Sequence, residues 1–199
     1  MSMSCPPDLK GSGWLLTMIQ TLSKSNIRKK SLKKRLQLSF TQRFILSKKI
    51  HSNLTKQSAY RKSKNIGIFM PVKNEPIIFL DHRKINFVPV IKDEHLKYCY
   101  LGNLLARRSF NILEPIKREY GQVKKLNLLI VPFLAFNTDL HRIGYGKGYF
   151  DRLLSLINHQ HYRPKVWGIG YQFQLCQGPF QDKSDIRLDK IITDQKIYG

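Results

Sequence analysis

The sequence predicts an α/β fold: a single three-layer domain with an open, mostly parallel sheet and helices on both faces. Three observations lead there. Strand-length apolar segments alternate with segments of helical periodicity, the order that yields parallel strands joined by helical crossovers. One of them, Leu126–Phe133, is apolar without a break, as a strand covered on both faces must be. A glycine-rich loop follows it and opens a helix, which in such a sheet belongs to the carboxyl edge where ligands bind.

In chain order, residues 1–22 read as a loosely ordered N-terminal extension. Their apolar patch, Trp14–Ile19, has no small-residue cleavage site after it. No run anywhere approaches the roughly 20 apolar residues of a membrane helix, so no span is expected. From Leu22 to about Gln57 the chain is basic and helical, with Ile27, Leu32, Leu36 and Phe40 at helical spacing. A second helix is placed after Thr41 as N-cap, carrying Phe44, Ile45, Ile50 and Leu54. Asn65–Met70 reads as a buried strand stopped by Pro71, and Ile85–Ile91 as another. Pro89 puts the latter at an edge or shortens it, because proline donates no ladder bond. Lys92–Lys125 holds a strand pair or a short excursion around Leu104–Phe110, with a turn at Glu114–Pro115. After Leu126–Phe133 come a helix from Tyr149 to about Asn158 and a central strand, Lys165–Tyr171. A short last strand, Leu188–Thr193, closes the series. Met70, Phe133 and Tyr171 thus fall at carboxyl ends of strands. With no internal repeat or low-complexity linker, residues 23–199 are read as one domain.

The chain's 199 residues, 42% hydrophobic and 24% charged, suit one globular domain with a real core. Its charge is unusual: 35 Lys+Arg against 13 Asp+Glu give a net +22. Such a field suits nucleic acid through phosphate contacts, or a small polyanion, or reflects general composition without local meaning. Cys5, Cys99 and Cys176 form no Cys-x-x-Cys pair, which argues for a reducing cytosol and against a disulfide scaffold or zinc site.

Arg142–Asp151 reads Arg-Ile-Gly-Tyr-Gly-Lys-Gly-Tyr-Phe-Asp. Gly144, Gly146 and Gly148 can adopt positive φ and let backbone amides approach a ligand closely. The helix behind them turns its positive end to the same place, which favours phosphate. Arg142 and Lys147 add cations, and Asp151 adds the hard oxygen that Mg²⁺ prefers. The spacing is neither Gly-x-Gly-x-x-Gly nor a Walker A loop. Glycine-rich turns before helices are common, so the flanking charges carry more of the argument than the glycines do.

Leu129–Leu154, from Leu-Ile-Val-Pro-Phe-Leu-Ala-Phe through Arg-Ile-Gly-Tyr-Gly-Lys-Gly-Tyr-Phe-Asp-Arg-Leu-Leu, resembles the signature of the 5-formyltetrahydrofolate cyclo-ligase (methenyltetrahydrofolate synthetase) family. The likeness extends from about Lys24 to Thr193. It implies conversion of 5-formyltetrahydrofolate to 5,10-methenyltetrahydrofolate with ATP and Mg²⁺, releasing ADP and phosphate through a phosphorylated formyl intermediate. It further implies a cytoplasmic protein, expected to be a monomer. By the resemblance, ATP is held by Lys24 and Arg28, four apart on one helix face, and by Arg142, Ile143, Gly144, Tyr145, Gly146, Lys147, Gly148, Tyr149 and Phe150. Lys147 and Tyr149 are the candidate catalytic residues. Met70 and Glu75 join Tyr145, Gly146, Lys147, Gly148 and Tyr149 around the folate, where a carboxylate suits the paired N–H donors of a pterin. Asp151 and Asp185 match the Mg²⁺ ligands, with Asp189 a competitor for the second place. The sequence departs from the family's pattern in four places. Asn137 stands for an acidic residue, Leu140 for a glycine and Ser184 for a histidine, and Pro76 follows Glu75 directly. None of the six histidines is assigned a catalytic role. Two other readings stay open: a basic nucleic-acid-binding module, and an inactive relative that binds folate without turning it over.

Overall fold

The computed structural model describes residues 23–108, 112–182 and 185–199. The N-terminal extension and Ser184 lie outside the described residues. Three helices come first: α1 (Lys24–Leu36), α2 (Phe40–Thr55) and the short α3 (Ser58–Lys62). Ser23 caps α1 by accepting from the Asn26 amide. The cap of α2 is Ser39, not Thr41, which falls inside the first turn. Ser39 Oγ accepts from the Gln42 amide at 3.2 Å and Gln42 Oε1 accepts from the Ser39 amide at 2.9 Å. This reciprocal pair satisfies two orphan helix donors at once, which a threonine cap two residues later does not.

The buried stripe of α1 is Ile27, Ser31 and Arg35, one turn apart. It is not the expected Ile27–Leu32–Leu36–Phe40 series, in which Leu36 is 52% and Phe40 72% exposed. Backbone carbonyls beneath the helix claim Arg35, and that rotates the leucine face outward.

Twelve strands follow α3 in the described residues, eight of them in one sheet. The central parallel strands are β1 (Asn65–Gly67), β2 (Ile85–Lys92), β7 (Leu128–Pro132), β10 (Lys165–Ile169) and β11 (Lys190–Ile192). Antiparallel strands β3 (His95–Tyr100), β6 (Tyr120–Gly121) and β12 (Ile197–Tyr198) complete the edges. The spatial order is β12-β11-β10-β7-β1-β2-β3-β6. The excursion between β3 and β6 is a strand pair, β4 (Leu105–Arg107) with β5 (Leu113–Pro115).

Pro89 sits in neither an edge strand nor a shortened one, since β2 runs eight residues between β1 and β3. The Leu101 amide donates to Asn86 O on one side and the Ile68 amide to Phe87 O on the other, so bonding alternates along β2. By that alternation the nitrogen of Pro89 points toward β1, which has already ended opposite Phe87. Its missing donor therefore breaks no ladder bond.

Helices cover both faces. Leu128 and Ile130 pack with Ile50, Leu54 and Tyr60 from α2 and α3. The alternate residues, Leu129 and Val131, pack with Leu153, Leu154 and Ile157 of α4 (Tyr149–Asn158). An unbroken apolar strand is needed because both of its faces are interior.

Candidate functional site

The chain runs from β1 to its neighbour β2 on one side, then returns to β7, β10 and β11 on the other. Strand order reverses between β1 and β7, and open sheets bind ligands beyond the carboxyl ends of the strands at such a point. Segment 68–84 leaves from one side of that point and Phe133 from the other.

Two structures converge there. The first is a hairpin, β8 (Ala135–Phe136) with β9 (Arg142–Ile143), which lifts the glycine loop off the end of β7. Its turn is closed by the Leu140 amide on Asn137 O and the His141 amide on Asn137 Oδ1. Leu140 takes φ 68°, a left-handed conformation that favours glycine, while its side chain packs against the α4-side core. Gly146 at φ 93° and Gly148 at φ 69° use the freedom that glycine supplies. Gly144 does not, so two of the three glycines, not all three, are conformationally required. Gly148 is the N-cap of α4 with no side-chain cap, which leaves the first amides of that helix for another acceptor. Lys147 is exposed, and Tyr149 lies under the Arg152 guanidinium, 5.0 Å from its ring.

The second structure is the 70–75 segment. Met70 is half-buried against the α2-side core. Glu75 is 1% exposed; its Oε2 accepts from the Val72 amide at 3.0 Å. Its Oε1 has no hydrogen-bond partner, with the Arg35 guanidinium 3.8 Å away and the neighbouring Tyr145 hydroxyl accepting from Arg35. Burial pushes the Glu75 carboxyl up to about 7, against the opposing pull of Arg35, the Val72 amide and the Tyr145 hydroxyl beside it.

α1 spans both structures. Arg28 Nε donates to Gly144 O at 2.9 Å, which ties the helix to the glycine loop. Lys24 Nζ pairs with Asp182 at 2.6 Å and with Asp185. Burial disfavours the Lys24 ammonium, but the two carboxylates outweigh it and raise its pKa. Arg142 is buried, with Nη2 on Asp151 Oδ1 at 2.9 Å. Burial lowers the pKa of that guanidinium, while the charges of Asp151 and Asp185 oppose the fall. Both carboxylates assigned to a metal therefore bear on one cation.

The donor set fits a divalent ion held by two carboxylate oxygens, with other oxygens supplied by nucleotide and water. Among the described residues no group of three or more His, Cys, Asp or Glu side chains offers a fuller cage. Asp189, the competitor for the second place, stands apart from this pair. It precedes β11, at the opposite edge of the sheet, where both oxygens are taken by Arg163 and Oδ2 also accepts from the Val166 amide at 2.6 Å. The structure thus links Lys24, Arg28, Glu75, Arg142, Tyr145, Asp151 and Asp185 through one chain of contacts around the glycine loop. Two residues escaped sequence reasoning, Arg35 and Asp182. Arg35 left one clue, its register with Ile27 and Ser31, hidden in a run of lysines and arginines.

The comparisons agree with this geometry. The 5-formyltetrahydrofolate cyclo-ligase family model matches residues 20–194. A protein of that name from Mycoplasma genitalium is 32% identical over 174 residues, covering 87% of this chain and 99% of the relative. The Mus musculus protein of that name is 29% identical over 182 residues, covering 82% and 90%. Among solved structures, Aquifex aeolicus 5,10-methenyltetrahydrofolate synthetase superposes with a TM-score of 0.75 at 30% identity, covering 88% of this chain and 91% of that one. The Mycoplasma pneumoniae synthetase gives 0.68 at 28% identity, covering 86% and 99%. With the family model and a relative of 32% identity each matching nearly all the described chain, the protein belongs to the 5-formyltetrahydrofolate cyclo-ligase family.

Proposed function

We propose that the protein closes 5-formyltetrahydrofolate to 5,10-methenyltetrahydrofolate, consuming ATP with Mg²⁺ and releasing ADP and phosphate. The observation that carries this reading is the meeting, at the strand-order reversal, of a cationic glycine loop with the buried Glu75, whose Oε1 faces the Arg35 guanidinium at 3.8 Å and the Tyr145 hydroxyl of that loop. A buried carboxylate oxygen satisfied only by a distant guanidinium and one hydroxyl keeps a lone pair for a ligand donor. Pterin N–H donors would satisfy it, and Met70 would wall the same pocket.

The chemistry is phosphoryl transfer followed by ring closure. The formyl oxygen attacks the γ-phosphorus, an oxygen–phosphorus bond forms, and the bond to the ADP oxygen breaks. N10 then attacks the activated formyl carbon, loses its proton, and phosphate departs to leave the methenyl bridge. Holding N10 and the formyl carbon together converts this second step to an intramolecular one, an advantage of several kcal/mol. Amides at the start of α4 and the Lys147 ammonium would oppose charge on the transferring group, where preorganised donors matter most. Lys24, Arg28 and Arg142 would grip the remaining phosphate oxygens, and Tyr145 and Tyr149 would flank the reacting groups. Bound Mg²⁺, for which Asp151 and Asp185 would supply the protein oxygens, draws negative charge from the phosphates. We read the protein as a cytosolic monomer. No helix among the described residues is long and apolar enough to cross a membrane.

The test is turnover of the purified chain with 5-formyltetrahydrofolate and Mg-ATP, following methenyl absorbance together with ADP. One ADP per methenyl group is the expected result. ATP consumption without methenyl product, or no product at all, would overturn the reading.

A further inference from the structure

Arg35 is wholly buried, and a buried guanidinium persists only where its donors are matched. Its Nε donates to Lys73 O at 2.9 Å and its Nη1 to Phe133 O at 3.1 Å. Nη2 donates to the Tyr145 hydroxyl and stands 3.8 Å from Glu75 Oε1. The Tyr145 ring lies 5.5 Å from the guanidinium carbon, a cation–π contact on the same side chain. The backbone of Arg35 is fixed as well: Asn74 Nδ2 donates to the carbonyls of Arg35, Leu36 and Leu38. One side chain therefore touches the 73–75 segment, the end of β7 and the glycine loop, and it belongs to the helix that carries Lys24 and Arg28.

We propose that Arg35 is a positioning residue that couples the nucleotide loop to the folate carboxylate, so that the two substrates bind cooperatively. Nη2 lies between two acceptors, hydrogen-bonded to Tyr145 and ion-paired with Glu75 Oε1 at 3.8 Å, beyond hydrogen-bond reach. A nucleotide that reorients Tyr145 releases this donor to Glu75, and Glu75 is then held in the charged form that accepts from a pterin. A pterin on Glu75 draws the same donor from the other side and frees the loop for phosphate. Linkage makes the effect reciprocal, and couplings of this kind span roughly 5- to 150-fold in affinity. The planar fork of arginine is essential, because a lysine ammonium cannot serve three acceptors in fixed directions.

This inference rests on the function proposed above, and the experiment separates the two. Affinity for 5-formyltetrahydrofolate is measured by calorimetry with and without a non-hydrolysable ATP analogue and Mg²⁺. The unaltered protein should bind the folate about tenfold more tightly with the analogue present, within the usual range of coupling. Arg35→Lys and Tyr145→Phe should bring that ratio close to one. A merely structural loss would weaken binding in both conditions and leave the ratio intact. If Arg35→Lys does not fold, Tyr145→Phe still decides, because Tyr145 is partly exposed and loses only its hydroxyl. A full ratio in Tyr145→Phe, or no ratio in the unaltered protein that binds both ligands, overturns the coupling alone. Failure of the unaltered protein to bind either ligand overturns both proposals.

Discussion

Arg142 and Asp151 form an ion pair of 2.9 Å in which the cation is almost completely buried and the carboxylate is 40% exposed. The sequence assigns these residues to opposite charges of one ligand, nucleotide phosphate and metal. In the folded protein they neutralise each other. Asp151→Ala leaves the buried guanidinium with only the more distant charge of Asp185. Discounted for the solvent around Asp151, the loss of stability should be about 1–3 kcal/mol in urea unfolding. Methenyl formation should fall by at least about 100-fold, the usual scale for losing a main charge-stabilising group. An unchanged urea midpoint would contradict the pairing.

Glu75 has its carboxyl pushed up to about 7, chiefly by burial. A folded-state pKa above the unfolded value of about 4.3 means that the folded protein holds a proton the unfolded chain has released. The stability contribution of this group is present in full below about pH 4 and lost as pH rises through 7. Glu75→Gln carries no charge and escapes that loss. The difference between variant and original should therefore shift in the variant's favour from pH 5 to pH 8, by on the order of 3 kcal/mol at most. Urea unfolding across that range is the measurement, and a difference flat with pH would refute it. Folate affinity should drop in the same variant, because a carboxamide offers one acceptor where the pterin edge needs two.

Leu140 holds φ 68° with its side chain 2% exposed. A glycine there would relieve roughly 1–2 kcal/mol of left-handed strain. It would also remove a buried leucine, which costs about 2–5 kcal/mol. The second effect is the larger, so Leu140→Gly should lower stability by roughly 2 kcal/mol in thermal or urea unfolding. A stabilised variant would show that the turn and not the core governs this position.

Asp189 and Asp185 should separate in turnover. Asp189→Ala removes the acceptor of the Val166 amide and the partner of Arg163, and should cost about 1–3 kcal/mol of stability. Its turnover per folded molecule should be unchanged. Asp185→Ala removes the partner of Lys24 and the acceptor of the Asp182 amide, so it should cost a similar amount of stability, and it should also abolish turnover. Comparison of kcat at full folding for the two variants is decisive.

Legibility in the sequence followed how far each segment's fate is set locally. The helix Tyr149–Asn158 and the strand at Leu128–Pro132 were readable because glycine, apolar run and amphipathic face all act within a dozen residues. Gly146 and Gly148 were readable for the same reason, whereas Gly144 takes no positive φ and its carbonyl accepts from Arg28, 116 residues away. Arg35 was invisible because its environment is assembled from Lys73, Phe133 and Tyr145, none near it in sequence. The hairpin of β8 and β9 has strands of two residues, too short for any period to register. Pro89 misled because its harmlessness depends on where a different strand happens to stop.

Both borders of the eight-stranded sheet are formed by antiparallel strands only two residues long, Tyr120–Gly121 and Ile197–Tyr198. A passing polypeptide that tried to extend the sheet would find almost no row of free donors and acceptors to zip against. The margins are blunted by geometry, so this highly cationic protein is guarded against stacking into fibres twice over, once by mutual repulsion and once by lacking a long enough seam.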